Sequence, residues 1–482
     1  MVYQAGKADD AASFGAALSV SAGWSRAGLI ALAAVLAFAV GLFAPQVLGD
    51  GDTYWHIAAG QWMLDHHQVI RTDSFSYTFA GKPWDTHEWL AELVMALAWR
   101  VAGWAGMMAL TGAAAATAIG LTAARLSRLL TPTALILALA LIGACLAPSF
   151  LARPHFLALP LLVLWIGALL DARAAGRAPS PAWLLLMIAW ANAHASFLFG
   201  ILLVGAFALD ALLTEPKAWR RVFLQWGGFG VGAVLAALIT PHGLDGLLFP
   251  LKVNGMGSLA GITEWRSPDF QHLPPVEIAI LAGLWVMLSR GVRLAPARLG
   301  LLLALLYMTL AHVRHETLLV LIGAPLLAEA LAGPGRVQPD RRPDRRAAGL
   351  AAAGIAALCL LRLLLPFDPG DGRVSPVSAL AHVPAALRAQ PVFNSYDLGG
   401  YLIYARVKPF IDGRTDMYGD AFIARYDAME RPGGEAFDAA AAQYRIAWTF
   451  LEPSSPLIAT LDADPRWRRL YADRYAVVHV RR

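Results

Sequence analysis

Residues 182–213 read AWLLLMIAWANAHASFLFGILLVGAFALDALL, and the number of times this stretch crosses a membrane decides the arrangement of everything after it. It is longer than the roughly 17–25 apolar residues that one crossing needs. Its middle, Ala191-Asn192-Ala193-His194-Ala195-Ser196, is polar. Non-helical backbone at membrane depth survives only where protein or water satisfies it. The stretch therefore divides at its polar centre into two short spans.

Working outward, further apolar runs lie at about 27–46, 105–124, 132–150, 156–171, 222–240, 276–289, 299–312, 317–332 and 348–366, which makes eleven spans. The run 89–102 is short and is broken by WRVAGW, so it is expected to lie along the interface. Of the 482 residues, 58% are hydrophobic and 15% charged, against about 25% charged in soluble domains. This excludes an ordinary soluble enzyme. The expected fold class is an α-helical polytopic membrane protein with a small C-terminal soluble α/β domain. The two cysteines, Cys145 and Cys359, lie inside apolar runs and exclude a disulfide framework and a cysteine-rich metal site. The net charge of +5 comes from arginines between spans, which points to membrane orientation and not to nucleic acid.

The positive-inside rule supports the division of 182–213. With residues 1–26 as a cytoplasmic segment, fifteen basic residues fall in the inner loops, from Arg125 and Arg128 to Arg336, Arg341, Arg342, Arg345 and Arg346. Apart from the interface helix, the outer loops before the last span hold six: Arg71, Lys82, Arg153, Lys252, Arg266 and Arg314. The domains expected are a transmembrane unit at 27–366 with a large first outer loop at 47–104, and an extracytoplasmic domain at 367–482.

On this topology the polar residues that are costly near a membrane gather at the outer ends of spans. The first loop carries Asp50, Asp52, His56, His87 and Glu88, and the corner after the third span carries Arg153-Pro154-His155. Asn192 and His194 mark the split, Glu264-Trp265-Arg266 follows the seventh span, and Arg314-His315 lies between the ninth and tenth. Ionisable groups at such depth usually face a cavity or a partner. Each also has a plainer reading. Asp50 and Asp52 can cap a helix, the arginines can snorkel to the interface, and Asn192 and His194 can satisfy split helix ends. Asp52 and His56 share a helix face at i,i+4, which also suits two ligands of a divalent metal; no cofactor is otherwise indicated.

Gly49-Asp50-Gly51-Asp52 directly after the first span, the interface helix, the many spans and the C-terminal domain together resemble the GT-C class of membrane glycosyltransferases. The chain is also similar to a group of uncharacterised bacterial polytopic proteins through Asp52-Thr-Tyr-Trp-His56, Phe75-Ser-Tyr-Thr78, Pro83-Trp-Asp-Thr-His-Glu-Trp89, Trp190-Ala-Asn-Ala-His194 and Asp412-Gly-Arg414. The GT-C resemblance implies a lipid-linked (polyprenyl-phosphate) sugar donor and a first-loop acid, here Asp52 or Asp50, as catalytic base with His56 beside it. It implies a bacterial inner-membrane enzyme acting on a glycan, lipid or protein acceptor at the outer face. Substrate contacts are expected from His87, Glu88, Arg153, His155, Asn192, His194, Arg314 and His315, the arginines holding a lipid phosphate by planar bidentate recognition. The alternatives are a transporter or flippase, a histidine-based and metal-dependent hydrolase or acyltransferase, and a non-catalytic assembly partner.

Beyond Pro366 the composition becomes that of a soluble domain. Strands are expected at 391–396, 408–413, 446–452, 467–473 and 475–481, and helices near 398–405, 419–429, 434–443 and 456–463. Reporter fusions after Leu213 and after Arg482 check the topology. The expected signals are inside and outside respectively; an outside signal at Leu213 or an inside one at Arg482 overturns it.

Overall fold

The computed structural model describes residues 25–333 and 344–482. Most of the N-terminal segment, together with Arg336, Arg341 and Arg342, lies outside the described residues. Helices occupy all eleven positions read from the sequence. Among the described residues, seven helices are long and apolar enough to cross a membrane: Arg26–Phe43, Trp89–Ser127, Pro132–Ser149, Pro154–Ala174, Phe197–Thr214, Val313–Ala332 and Arg345–Leu364. Pro181–Ala193, Pro275–Ser289 and Pro296–Ala311 are shorter apolar helices.

The critical stretch does break at its polar centre. A helix Leu184–Ala193 ends where His194 turns extended (φ −168°, ψ 144°), and a second helix runs Phe197–Thr214. The break is satisfied locally. Ser196 accepts from the Trp190 indole at 2.9 Å, and its backbone N–H donates to His194 Nδ1 at 3.0 Å. The expected interface helix and second span are continuous as Trp89–Ser127, but non-helical angles at Ala102 and Gly103 separate them. Gly103 takes φ 55°, a conformation glycine adopts without a Cβ penalty.

The C-terminal domain contains a four-stranded sheet in the order β1-β2-β4-β3, with β1 Val392–Asn394, β2 Trp448–Leu451, β3 Trp467–Ala472 and β4 Val477–Arg481. β1 and β2 are parallel; the β2–β4 and β4–β3 pairings are antiparallel. The strand expected at 408–413 is absent. The Asn394 side chain replaces a ladder there, its Oδ1 accepting from Phe410 N–H at 2.8 Å and its Nδ2 donating to the Ile411 carbonyl at 2.8 Å. One side chain thus satisfies backbone groups that a neighbouring strand would otherwise take.

The first outer loop docks on this domain. Tyr77 donates to the Val392 carbonyl at 2.9 Å and Thr78 to the Phe410 carbonyl at 2.7 Å. Arg414 is fully buried and pairs with Asp73 at 2.7 Å and Asp412 at 2.6 Å, its guanidinium lying over Trp84 and Phe75. The backbones meet so closely that a Cβ on Gly400 would sit 2.1 Å from the Gly51 carbonyl oxygen, and one on Gly413 1.8 Å from Asp52 Oδ1. The domain therefore closes directly over the acidic turn of the first loop.

Breaking a buried pair by removing one partner costs about 3–5 kcal/mol, because it strands the other charge. Arg414→Met is expected to lower the thermal midpoint and to expose the C-terminal domain to limited proteolysis. Unchanged melting and an unchanged digest would show that another contact holds the two parts together.

Candidate active site

Asp50 and Asp52 stand at the start of the helix Asp52–His66. Asp50 Oδ1 accepts from the Asp52 backbone N–H at 2.8 Å, so it does cap the turn, while its Oδ2 lies 3.1 Å from Arg153. Arg153 precedes Pro154 and is extended (φ −130°, ψ 157°), the conformation a following proline enforces. Its guanidinium also reaches Asp52 at 2.9 Å and Glu264 at 2.7 Å. One cation thus gathers three carboxylates from two other segments, the first loop and the loop carrying Glu264. Asp52 Oδ1 accepts from the Trp55 indole at 2.9 Å. A carboxylate offers about four acceptor sites, so acceptor capacity remains on both oxygens. Burial pushes the Asp52 carboxyl up to about 7 against the pull of Arg153, whereas the same guanidinium holds Glu264 down at about 2.

A second cluster centres on Glu88, just before the helix Trp89–Ser127. His194 Nε2 lies 3.4 Å, His87 Nε2 3.6 Å and His56 Nε2 3.7 Å from its oxygens. Burial alone would raise the Glu88 carboxyl, but His87, His194 and His56 together bring it well below the usual carboxylate range. Burial pushes His56 and His194 down to about 3, so both are neutral at pH 7. His87 goes the other way: burial opposes its charge, but Glu88 outweighs it and raises the imidazole, which stacks on Phe249 at 3.7 Å. His56 Nδ1 meets Glu92 at 3.1 Å. His155, two residues after Arg153, has its ring 6.3 Å from that of His194 and so links the two clusters.

The sequence places His87 and Glu88 only in the first loop, as separate substrate contacts. They lie in the turn just before the helix Trp89–Ser127, and their side chains meet. Asp52 and His56 do not converge as metal ligands, since Asp52 turns to Arg153 and His56 to Glu88 and Glu92. Among the described residues no group of three or more His, Cys, Asp or Glu side chains is placed to hold a metal ion. The corner richest in carboxylates has a guanidinium at its centre. With Arg153 at that centre, the corner as arranged does not fit a divalent metal.

The two expected phosphate-binding arginines differ sharply. Arg153 is engaged by three carboxylates, whereas Arg314 lies over the Trp265 ring at 4.4 Å and, among the described residues, forms no ion pair. Trp265 follows Glu264, so Arg314 sits beside the first cluster. His315 Nδ1 is turned to the Met308 carbonyl at 3.1 Å. Asn192 is fully occupied: its Oδ1 accepts from the Trp89 indole at 2.7 Å, and its Nδ2 donates to the Ile188 and Ile239 carbonyls at 2.8 Å each. Glu264 and Glu92 were not assigned to the site from sequence. Glu92 was within reach of that reading, being one helical turn after Glu88. For Glu264 the only signal was an acid next to a tryptophan in an outer loop.

No protein-family model matches the chain, and no curated protein matches it by sequence. Solved structures do match. The archaeal oligosaccharyltransferase AglB from Archaeoglobus fulgidus, in complex with an inhibitory peptide and a dolichol-phosphate, aligns over 88% of this chain and 69% of its own, with TM-score 0.57 and 11% identity. The apo form of the Archaeoglobus fulgidus oligosaccharyltransferase aligns over 87% and 69%, with TM-score 0.50 and 12% identity. ArnT from Cupriavidus metallidurans bound to undecaprenyl phosphate covers 94% and 97%, with TM-score 0.49 and 15% identity. The chain thus shares the fold of these oligosaccharyltransferase structures, in line with the fold that the first loop and span pattern implied.

Asn192 provides a check on which polar groups serve structure. Asn192→Ala removes three part-buried hydrogen bonds, each worth about 0.5–1.5 kcal/mol, so it is expected to lower the thermal midpoint while leaving any affinity for a polyprenyl phosphate unchanged. Weaker binding at wild-type stability would make Asn192 a ligand contact instead.

Proposed function

We propose that this chain is a membrane glycosyltransferase that moves a sugar from a polyprenyl-phosphate donor to an acceptor at the outer face of the bacterial inner membrane, with Asp52 as general base. The observation that carries the reading is the Asp52 carboxyl. It lies in the first outer loop of a GT-C fold, oriented by Trp55 and Arg153, with acceptor capacity left and its proton affinity raised toward neutrality. A base is most effective when its pKa lies near the working pH.

In the reaction, an acceptor hydroxyl oxygen attacks the anomeric carbon while Asp52 takes its proton. The bond from that carbon to the phosphate oxygen breaks, and the electron pair leaves with the polyprenyl phosphate. Arg314 is the residue suited to receive the charge. Its guanidinium forms no ion pair among the described residues, is stacked on Trp265, and lies near Glu264 of the Asp52 corner. AglB was solved with a dolichol-phosphate, the same chemical class of ligand. The neutral imidazoles of His56 and His194, whose Nδ1 atoms are taken by Glu92 and Ser196, present Nε2 toward Glu88, and these nitrogens suit sugar hydroxyls beside that carboxylate. A glycan, lipid or protein acceptor fits this scheme equally.

Asp52→Asn retains volume and capping ability but removes the base. Transfer of labelled sugar from a polyprenyl-phosphate donor in membranes is expected to fall about 10²–10⁴-fold with normal expression. Because the base acts deprotonated and its pKa is raised to about 7, wild-type turnover should rise with pH through that value and level off above it. Wild-type turnover in both Asp52→Asn and Asp50→Asn would leave the mechanism without its base.

A further inference from the structure

Asp50, Asp52 and Glu264 come from two positions in the first outer loop and from a distant loop, and each has an oxygen within 2.7–3.1 Å of Arg153. Convergent carboxylate oxygens are the donor set that hard divalent cations take. Here a side chain fills the centre. Arg153 is extended ahead of Pro154, and its Nε is buried without a hydrogen-bond partner. The guanidinium is therefore spent on orienting carboxylates through its two terminal nitrogens.

We infer that Arg153 is a built-in cation that takes the place of a divalent metal ion, holding Asp52 in position and making this corner metal-independent. The difference from a metal is one of charge and permanence. A guanidinium stays protonated at any physiological pH, cannot be chelated, and supplies one positive charge where a divalent ion supplies two. Three carboxylates around one such charge leave a net negative corner. Asp50 and Glu264 then add to the proton affinity of Asp52, which suits a base more than a bare counter-ion does. Arg153 is on this account a positioning residue, and phosphate recognition passes to Arg314. The catalytic part of the inference rests on the proposed base; the metal-exclusion part rests on the corner alone.

The test is titration of chelator-treated, purified full-length protein with Mn²⁺, followed by electron paramagnetic resonance. Wild type should bind Mn²⁺ only weakly, and Arg153→Ala should bind it at least tenfold tighter, a gain that disappears in Arg153→Ala/Glu264→Gln. Arg153→Gln, planar and uncharged, serves if the alanine variant does not fold. Wild-type sugar transfer should be indifferent to the chelator. Transfer by Arg153→Ala should be lost, and partly restored by Mn²⁺. Mn²⁺ binding to wild type as tight as to the variant would overturn the inference, as would absence of a new site in both folded Arg153 variants or loss of wild-type transfer on chelation. The binding arm gives its answer even if no sugar is transferred, so its failure is distinct from failure of the glycosyltransferase reading.

Discussion

The guanidinium of Arg153 is the point on which the end of the helical bundle nearest the C-terminal domain depends. It joins the first loop, the corner before Pro154 and the loop carrying Glu264. Without it three carboxylates would face one another in a partly buried corner, an arrangement that like-charge repulsion and desolvation both oppose. The same device recurs where the first loop meets the C-terminal domain, as Arg414 bridges Asp73 and Asp412. It recurs again at the other end of the bundle. There Arg125 pairs with Asp171 and Glu329, Arg173 with Asp210 and Glu215, and Arg298 with Asp210 and Glu329. Arginine, with a planar fork that matches carboxylates, is well suited to fastening helix ends from several directions.

Clamping has a functional consequence. Because the C-terminal domain lies against Asp52 with no room for a Cβ at Gly413, the acidic turn is fixed by both halves of the chain. A carboxylate held this way needs little reorganisation when a ligand arrives, which is the condition under which positioned groups contribute most. The Glu88 cluster is arranged differently. Its carboxylate faces neutral imidazoles at His56 and His194 and a His87 of raised basicity, a surface rich in adaptable hydrogen bonds.

Much of this was legible in the sequence because the membrane makes polar residues conspicuous. The six residues Ala191–Ser196 announced a break inside an apolar run, and the turn there closes on Trp190, His194 and Ser196. The C-terminal change in composition announced a soluble domain. What sequence did not supply was direction. Asp52 and His56 share a helix face, yet one turns to Arg153 and the other to Glu88, because the partners come from segments far along the chain. Arg153 and Arg314 looked alike, each with a histidine close behind, and only tertiary contacts separate the saturated one from the one without an ion pair among the described residues. The stretch 408–413 has strand-like residues, but the Asn394 side chain takes up its backbone groups. The inner arginines, read only as a topology signal, also have defined carboxylate partners.

The central claim is that the outer corner built on Asp52 and Arg314 receives a lipid phosphate. A cryo-electron-microscopy map of the full chain in nanodiscs with undecaprenyl phosphate tests it most directly. The account predicts phosphate density in hydrogen-bond contact with the Arg314 guanidinium, on the same side of the bundle as Asp52. Phosphate density among Arg125, Arg173 and Arg298 at the opposite end, with the Asp52 corner empty, would contradict it.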